Sequence, residues 1–493
     1  MKTNVFCLNR SYCCIVAFLI LFTSCKKATV PNEDTTGFST NKRMANSQTL
    51  SAGGSLRKVG YLTLHSVGGS DFDTYIDSFV TSQYTDIIIA FLNPDASGNF
   101  TITTNVTQAI TKAHNAGLRI YFGTGTVEAN GNANNLINNN RADFISKIRK
   151  FTTINNFDGV DLDFEGAGLT SNFSPFVVQL SDSLHLHSKL LSVALAAYQA
   201  SVLSTAAYSK LDFLNVMSYD HGTNQPGAKP HSSFSDFVTD FNTCKLKISP
   251  SKINMGVPTY AWVYDNNAPT TQIGYSNVIQ AKPSGHCVNT VSLTATRKVF
   301  YDGHPVIRQK IPFALQQGIG GIMIWHVLSD TKDDATSIIK FINYCETNPS
   351  CFYPGTYRLS NISSGKPIQI AAASNADGAA VVQGMGDSQG SYLWRFNYVS
   401  GINYGIINNY TNKAMNVNGA SIANNAPLIQ WPWSNQAANQ QFKLEPDASG
   451  LYTITAVHSN KPIQILNASS ADGAQVVQSS ADGGYNQKWF IWR

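Results

Sequence analysis

Asp158-Gly-Val-Asp161-Leu-Asp163-Phe-Glu165 puts four carboxylates into eight residues. From Val160 onward, acids alternate with apolar residues. That is the period of a β-strand, whose successive side chains point to opposite faces. Asp161, Asp163 and Glu165 therefore share one face, and Val160, Leu162 and Phe164 share the other. In a β/α barrel the apolar set packs under the outer helices while the acids point inward and upward, toward the face where barrel active sites lie. Asp158 falls off the common face and reads as structural support.

Outward from this strand, other short apolar runs recur with helix-length segments between most of them. They are Lys58–Leu64, Asp86–Leu92, Leu118–Phe122, Leu191–Ala196, Phe213–Met217, Ile253–Val257 and Gly321–Trp325. With Gly159–Phe164 they make eight buried strands, which predicts a (β/α)8 TIM barrel over 56–350. A doubly wound six-stranded sheet is the alternative, and eight runs disfavour it. Residues 351–493 differ, being rich in Gly, Asn and Ser with only short apolar runs. Lys366-Pro-Ile-Gln-Ile recurs at Lys461-Pro-Ile-Gln-Ile, with Lys413-Ala-Met-Asn-Val between them. Gln383, Gln430 and Gln478 keep that spacing, as do Trp394, Phe442 and Trp489. Three all-β copies predict a β-trefoil, whereas a propeller would normally need at least four blades. Only the short segment from Cys351 to Thr356 joins the two domains, so they are expected to pack together.

Composition narrows the function. Charged residues are 13% of 493, against a usual figure of about 25%. The net charge of +5 comes without a dense basic block, so no nucleic-acid partner is expected. Polarity comes mainly from Asn, Ser, Thr, Gln and Gly, an uncharged hydrogen-bonding surface that suits sugars. Neither Cys-x-x-Cys nor His-Glu-x-x-His occurs, and no cofactor and no metal are expected.

At the N-terminus, Lys2 and Arg10 precede an apolar run of 11 residues, Cys13 to Thr23, too short to span a bilayer and right for a secretory leader. Leu21-Phe22-Thr23-Ser24-Cys25 resembles a bacterial lipobox. That resemblance implies lipidation at Cys25, a membrane contact through a lipid anchor, and a place in the cell envelope, at the outer membrane or as a secreted form. Residues 26–55 read as a flexible tether. Four cysteines remain in the mature body, with Cys345 and Cys351 the easiest local bridge. The protein is expected to be a monomer.

Three carboxylates stacked on one face are costly when buried, so some must hold protons, as a general acid at neutral pH requires. Here the chain resembles glycoside hydrolase family 18, whose signature is Asp-x-x-Asp-x-Asp-x-Glu. Other matches follow in order: Met217-Ser-Tyr219-Asp220, Gly256-Val-Pro258-Thr-Tyr260, and Gly320-Gly321-Ile-Met-Ile-Trp325. The resemblance implies a chitinase acting on chitin or another N-acetylglucosamine-containing glycan. Glu165 would be the general acid and base, Asp163 would hold the substrate acetamide, Asp161 would tune Asp163, and Tyr219 would orient the acetamide carbonyl. Trp325 would form the floor beneath the sugar, with Tyr260, Asp220 and Met217 lining the same pocket. An endo-β-N-acetylglucosaminidase of N-glycan cores would use the same acids. A non-catalytic sugar-binding protein on this barrel would typically lack Glu165. His65, His221 and His326 fall near strand ends, as cleft polar residues or structural histidines.

Two departures stand out. The family's Ser-x-Gly-Gly is Phe122-Gly-Thr-Gly125 here, without the serine that supports the acidic strand. Only 59 residues separate Tyr260 from Gly320, leaving little room for an added α+β domain. A shallow open cleft and endo cleavage are therefore expected. The C-terminal repeats resemble the ricin-B-type lectin fold. The middle copy alone supplies an aromatic platform, which points to a sugar site at Asn416, Gln430, Trp431 and Asn439. The alternative is that these amides brace the trefoil turns.

Overall fold

The structure, a computed structural model, describes residues 55–64, 72–125, 130–166, 169–223 and 227–493. The leader, Cys25, residues 26–54 of the tether, and His65 lie outside the described residues.

All eight expected runs form strands: β1 (Arg57–Thr63), β2 (Asp86–Ala90), β3 (Arg119–Thr124), β4 (Gly159–Leu162), β5 (Leu190–Leu195), β6 (Phe213–Val216), β7 (Ile253–Pro258) and, after an insertion described next, the strand Gly321–Trp325. They close into a parallel barrel in which Gly321–Trp325 lies between β1 and β7. Register places Asp161 of β4 level with Gly123 of β3 and Ser192 of β5. Val160, Leu162 and Phe164 are fully buried in the layer between strands and helices, as the alternation requires. A separate cluster of Val59, Tyr61, Ile88, Tyr121, Phe213 and Met323 fills the lumen. Phe122 also faces the helices, with its ring packed on Phe100, Phe151 and Phe157.

One expectation is corrected. The 59 residues after Tyr260 do hold an added α+β element. It comprises β8 (Tyr260–Asp265), β9 (Ala268–Gly274), a helix Tyr275–Ala281, β10 (Thr290–Ser292) and β11 (Arg297–Phe300), followed by the barrel helix His304–Gln316. The four strands form an antiparallel sheet in the order β10-β11-β8-β9. The element fits because its turns are short. Asn266 and Asn267 join β8 to β9 with φ of +49° and +64°, the left-handed pair of a two-residue hairpin turn. The closing barrel strand is thus β12 (Gly321–Trp325).

Residues 358–492 fold as twelve short strands around a core that includes Trp394, Phe442 and Trp489, all fully buried. The three matched glutamines close the pseudo-threefold ring. Gln383 Nε2 donates to the carbonyls of Ser469 and Ala471, Gln430 to those of Ser374 and Ala376, and Gln478 to those of Ser421 and Ala423. Each copy thereby ties down a turn of another copy.

The barrel and the C-terminal domain pack together within one compact unit. Cys345 and Cys351 are joined as a disulfide. Arg308 of the helix His304–Gln316 donates to the Cys351 carbonyl and the Tyr452 hydroxyl, and its guanidinium lies 4.0 Å from the Phe352 ring centre. Asn289, beside β10, donates its backbone N–H to the Ser449 carbonyl at 2.8 Å. Among the described residues no helix is long and apolar enough to cross a membrane.

Candidate active site

Asp161 is fully buried at the barrel's centre. Its Oδ2 accepts the Tyr61 hydroxyl at 2.7 Å, and its Oδ1 accepts Ser192 Oγ at 2.6 Å and Asn215 Nδ2 at 3.0 Å. Burial raises its pKa, and those three donors oppose the rise. Asp161 thus takes its hydroxyl donors from Tyr61 of β1 and from Ser192 of β5, which the barrel register sets beside it.

Asp163 sits two residues higher on the same face. Among the described residues its buried Oδ1 has no hydrogen-bond partner. Its pKa is held well above the usual carboxylate range, first by burial and then by the charges of Asp161 and Glu165. The chain reaches this point through Gly125, whose φ is +121° and where a Cβ would fall 2.2 Å from the Asp163 carbonyl oxygen. Only glycine fits there. Glu165 is half-buried, and its pKa is raised by burial and then by Asp220.

Tyr219 rises from the end of β6, its ring 6.0 Å from that of Tyr260. Its phenol is pushed well up, first by burial and then by Asp163, Asp220, Glu165 and Asp161, so it remains a neutral donor. Asp220 Oδ1 accepts the Tyr260 hydroxyl at 2.7 Å and Trp262 Nε1 at 2.6 Å. Burial raises its pKa, but donors from His231, Tyr260 and Trp262 leave it lowered overall. Trp325 ends β12, directly across the barrel from β4. Its ring lies 5.3 Å from Tyr61 and 6.0 Å from Phe91, and Met217 packs in the same lumenal layer.

Beside Trp325 opens a cavity of about 410 Å³, lined among others by Phe91, Tyr260, Gln272 and His326. Tyr260 and Gln272 belong to the β8–β9 hairpin, so the inserted sheet raises one wall of the cleft. The expectation of a shallow cleft loses its premise there. Burial lowers the His326 pKa to about 4, which keeps the ring neutral. His221 pairs instead with Asp240 at 2.9 Å. Asp158 accepts the Ile120 N–H at 2.7 Å and lies 2.9 Å from His114, outside the lumen. Among the described residues no group of three or more side chains could hold a metal ion.

Sequence and structure comparisons bear on this arrangement. Residues 57–330 match the family model described as glycosyl hydrolases family 18. The chain belongs to glycosyl hydrolase family 18. Residues 350–431 and 438–493 match the ricin-type beta-trefoil lectin domain-like family. The family 18 chitinase ChiB from the chitin utilization locus of Flavobacterium johnsoniae is 29% identical. That match covers 60% of this chain and 95% of the other, with a TM-score of 0.53. A family 18 chitinase from Cycas revoluta, solved in complex with (GlcNAc)3, is 19% identical over 59% of this chain and 100% of its own, with a TM-score of 0.51, a likeness of fold alone. The probable chitinase 2 of Drosophila melanogaster is 27% identical over 270 residues, 42% of this chain and 55% of that protein. The chain thus spans about half the length of that curated relative.

Alongside the family 18 barrel, the trefoil separates the four residues assigned to its sugar site. Met415 pairs with Gln430 and Ala414 with Trp431, and paired residues share a face. Gln430 therefore points into the domain. It is fully buried, and it spends both amide hydrogens on the Ser374 and Ala376 carbonyls and its oxygen on the Thr411 hydroxyl. This corrects its placement among the sugar ligands: Gln430 is a brace. Asn416, Trp431 and Asn439 remain. Asn439 Nδ2 donates to Asn416 Oδ1 at 2.9 Å, and Trp431 is 47% exposed. Sequence reasoning missed Tyr61, Ser192 and Asn215 around Asp161, and the Trp262 contact to Asp220. No motif marks them. Only the strand register, applied to the neighbours of Asp161, could have found Ser192.

Proposed function

We propose that this protein is a chitinase that cleaves β-1,4 linkages in N-acetylglucosamine chains by substrate-assisted, retaining hydrolysis. The observation that carries this reading is Asp163: a buried carboxylate with an unpartnered oxygen, set between Asp161 and Glu165. Such an oxygen calls for a donor from the ligand, and an acetamide N–H is a donor of the right kind.

Glu165, whose hold on a proton is strengthened by burial and then by Asp220, gives that proton to the glycosidic oxygen as the leaving sugar departs. No carboxylate of the protein need attack, because in this family the substrate supplies its own nucleophile. The 2-acetamido oxygen bonds to the anomeric carbon and forms an oxazolinium ion. Asp163 accepts the acetamide N–H and balances the positive charge. Asp161 holds or releases a shared proton with Asp163, and the two titrate as a pair. Tyr219 orients the acetamide carbonyl, and Trp325 supports the apolar face of the sugar ring. Water then opens the oxazolinium ion, giving its proton to Glu165. Two inversions at the anomeric carbon restore the original configuration.

The C-terminal domain acts in this reading as a sugar-binding module, through Trp431 and the Asn416–Asn439 pair. The N-terminal leader sends the chain to the cell envelope, where lipidated Cys25 anchors it.

The deciding experiment offers the mature chain, with Cys25 replaced by Ser, chitin oligomers and a high-mannose glycoprotein together, and reads products by mass spectrometry. Short N-acetylglucosamine oligomers are expected. A free glycan with one N-acetylglucosamine left on the protein would redirect the reading to N-glycan cores. Glu165→Gln should reduce turnover by about 10²- to 10⁴-fold while oligomer binding persists. Unchanged turnover would remove Glu165 from its role.

A further inference from the structure

We propose that His231 is a positioning residue for the reaction, acting on Glu165 through Asp220; the inference rests on the catalytic reading above. Asp220 has φ of +62°, a left-handed backbone that few non-glycine residues adopt. His231 meets both ends of it with one atom. Its Nδ1 lies 3.3 Å from Asp220 Oδ1 and 3.4 Å from the Asp220 backbone nitrogen. A protonated Nδ1 donates to the carboxylate, and an unprotonated Nδ1 accepts the amide hydrogen. In either form the ring holds Asp220 in place.

Among the described residues the ring's hydrogen bonding goes to Asp220 alone. The ring is 1% exposed, and its Nε2 has no hydrogen-bond partner among the described residues. Its face packs 5.2 Å from the Tyr260 ring, whose hydroxyl also donates to Asp220. Its backbone carbonyl accepts the His221 N–H at 3.0 Å, which closes the loop that follows Asp220. A buried histidine whose ring contacts serve one carboxylate is costly unless that carboxylate needs a fixed position.

The need lies in Glu165, whose proton affinity is raised by burial and then by Asp220. A carboxylate acts on a neighbour through distance, so its orientation matters as much as its charge. Besides His231, Asp220 faces Glu165, Tyr219, Tyr260 and Tyr264. His231 itself faces Asp302, which is paired with the buried Lys310 at 2.5 Å. That pair carries no net charge when both are ionised, leaving Asp220 as the unbalanced partner of His231.

The test uses two polar replacements of the same ring. Asn at 231 keeps a polar atom near the place of Nδ1, whereas Gln places its amide near Nε2. The full chain carrying His231→Asn, His231→Gln, Asp220→Asn, or His231→Gln with Asp220→Asn is assayed on a soluble fluorogenic chitobioside across pH 4–9. Thermal melts confirm that each variant folds. Asp220→Asn should move the basic limb of kcat/KM down by about one pH unit, and His231→Gln by about half of that. His231→Asn should keep the wild-type limb, and the double variant should move no further than Asp220→Asn alone. Folded Asn and Gln variants with the same pH profile would overturn the inference, as would additive shifts in the double variant. An inactive wild type would instead remove the catalytic reading, and this inference with it.

Discussion

Replacing Asp163 by Asn should stabilise the fold while disabling the site. Asp163 is 5% exposed, its Oδ1 has no partner among the described residues, and its pKa is raised by burial and by the carboxylates on either side. A carboxyl group whose folded pKa is raised binds a proton more tightly in the native than in the unfolded chain. Its contribution to stability is therefore full below the unfolded pKa and lost as pH rises through the folded value. At about pH 4, the unfolded value, that contribution is almost intact and Asn should make little difference; by about pH 5 part of it is already lost. At pH 8 the wild type must either carry the buried charge or hold a proton that the unfolded chain releases. An amide of the same shape escapes that penalty. The gain should be on the order of 1–2 kcal/mol, the scale typical of stabilising substitutions at sites kept for function. For a chain of this size that is a rise of a few °C in melting temperature. Differential scanning fluorimetry of both proteins at pH 5, 6.5 and 8 gives the difference directly, alongside turnover of a soluble chitobioside. The reasoning requires the difference to grow with pH. A constant or negative difference would refute it, because Asp163 would then have a donor that offsets its burial.

Four further outcomes follow from the geometry. Tyr61→Phe removes the 2.7 Å hydroxyl from Asp161 Oδ2, so the acid limb of kcat/KM should move to higher pH by about one to two units, measured on the soluble substrate. In the reading proposed above Trp325 lies beneath the sugar, so Trp325→Ala should lower affinity for chitin oligomers by about 1–3 kcal/mol in calorimetry on a Glu165→Gln background. In the trefoil, Gln430→Ala strips partners from the Ser374 and Ala376 carbonyls and should cost about 1–3 kcal/mol in chemical denaturation, whereas Trp431→Ala should weaken retention on immobilised glycan without destabilising the domain.

The barrel was legible because its strands carry their own signal: short apolar runs, and in β4 an alternation that fixed which side the acids face. Val160, Leu162 and Phe164 lie under the helices as that alternation demands. The trefoil was legible because it repeats. What escaped notice had no repeating or local pattern. The inserted sheet was hidden by its brevity, although Tyr260-Ala-Trp-Val-Tyr followed by Asn266-Asn267 is a strand and turn in sequence, and both asparagines do take the left-handed conformation. The partners of Asp161 come from β1, β5 and β6, at separations of 100, 31 and 54 residues, and only the barrel closure brings them together. Gln430 misled for a different reason. Its neighbour Trp431 is exposed, and adjacent residues on a strand face opposite ways, so the exposed tryptophan itself argued that the glutamine points inward.

The docking of Arg308 against Cys351, Phe352 and Tyr452 bears on how two sugar-facing surfaces cooperate. Modules on a flexible linker meet a polymer at an effective concentration set by linker length, and each samples many positions along it. Here the join is short, and the docking is held at two places, by the guanidinium and by the contact of Asn289 with Ser449. For the reading proposed above, the trefoil then works as a ruler rather than a leash. The orientation of the trefoil toward the barrel is then set by the packing of the His304–Gln316 helix rather than sampled by a linker.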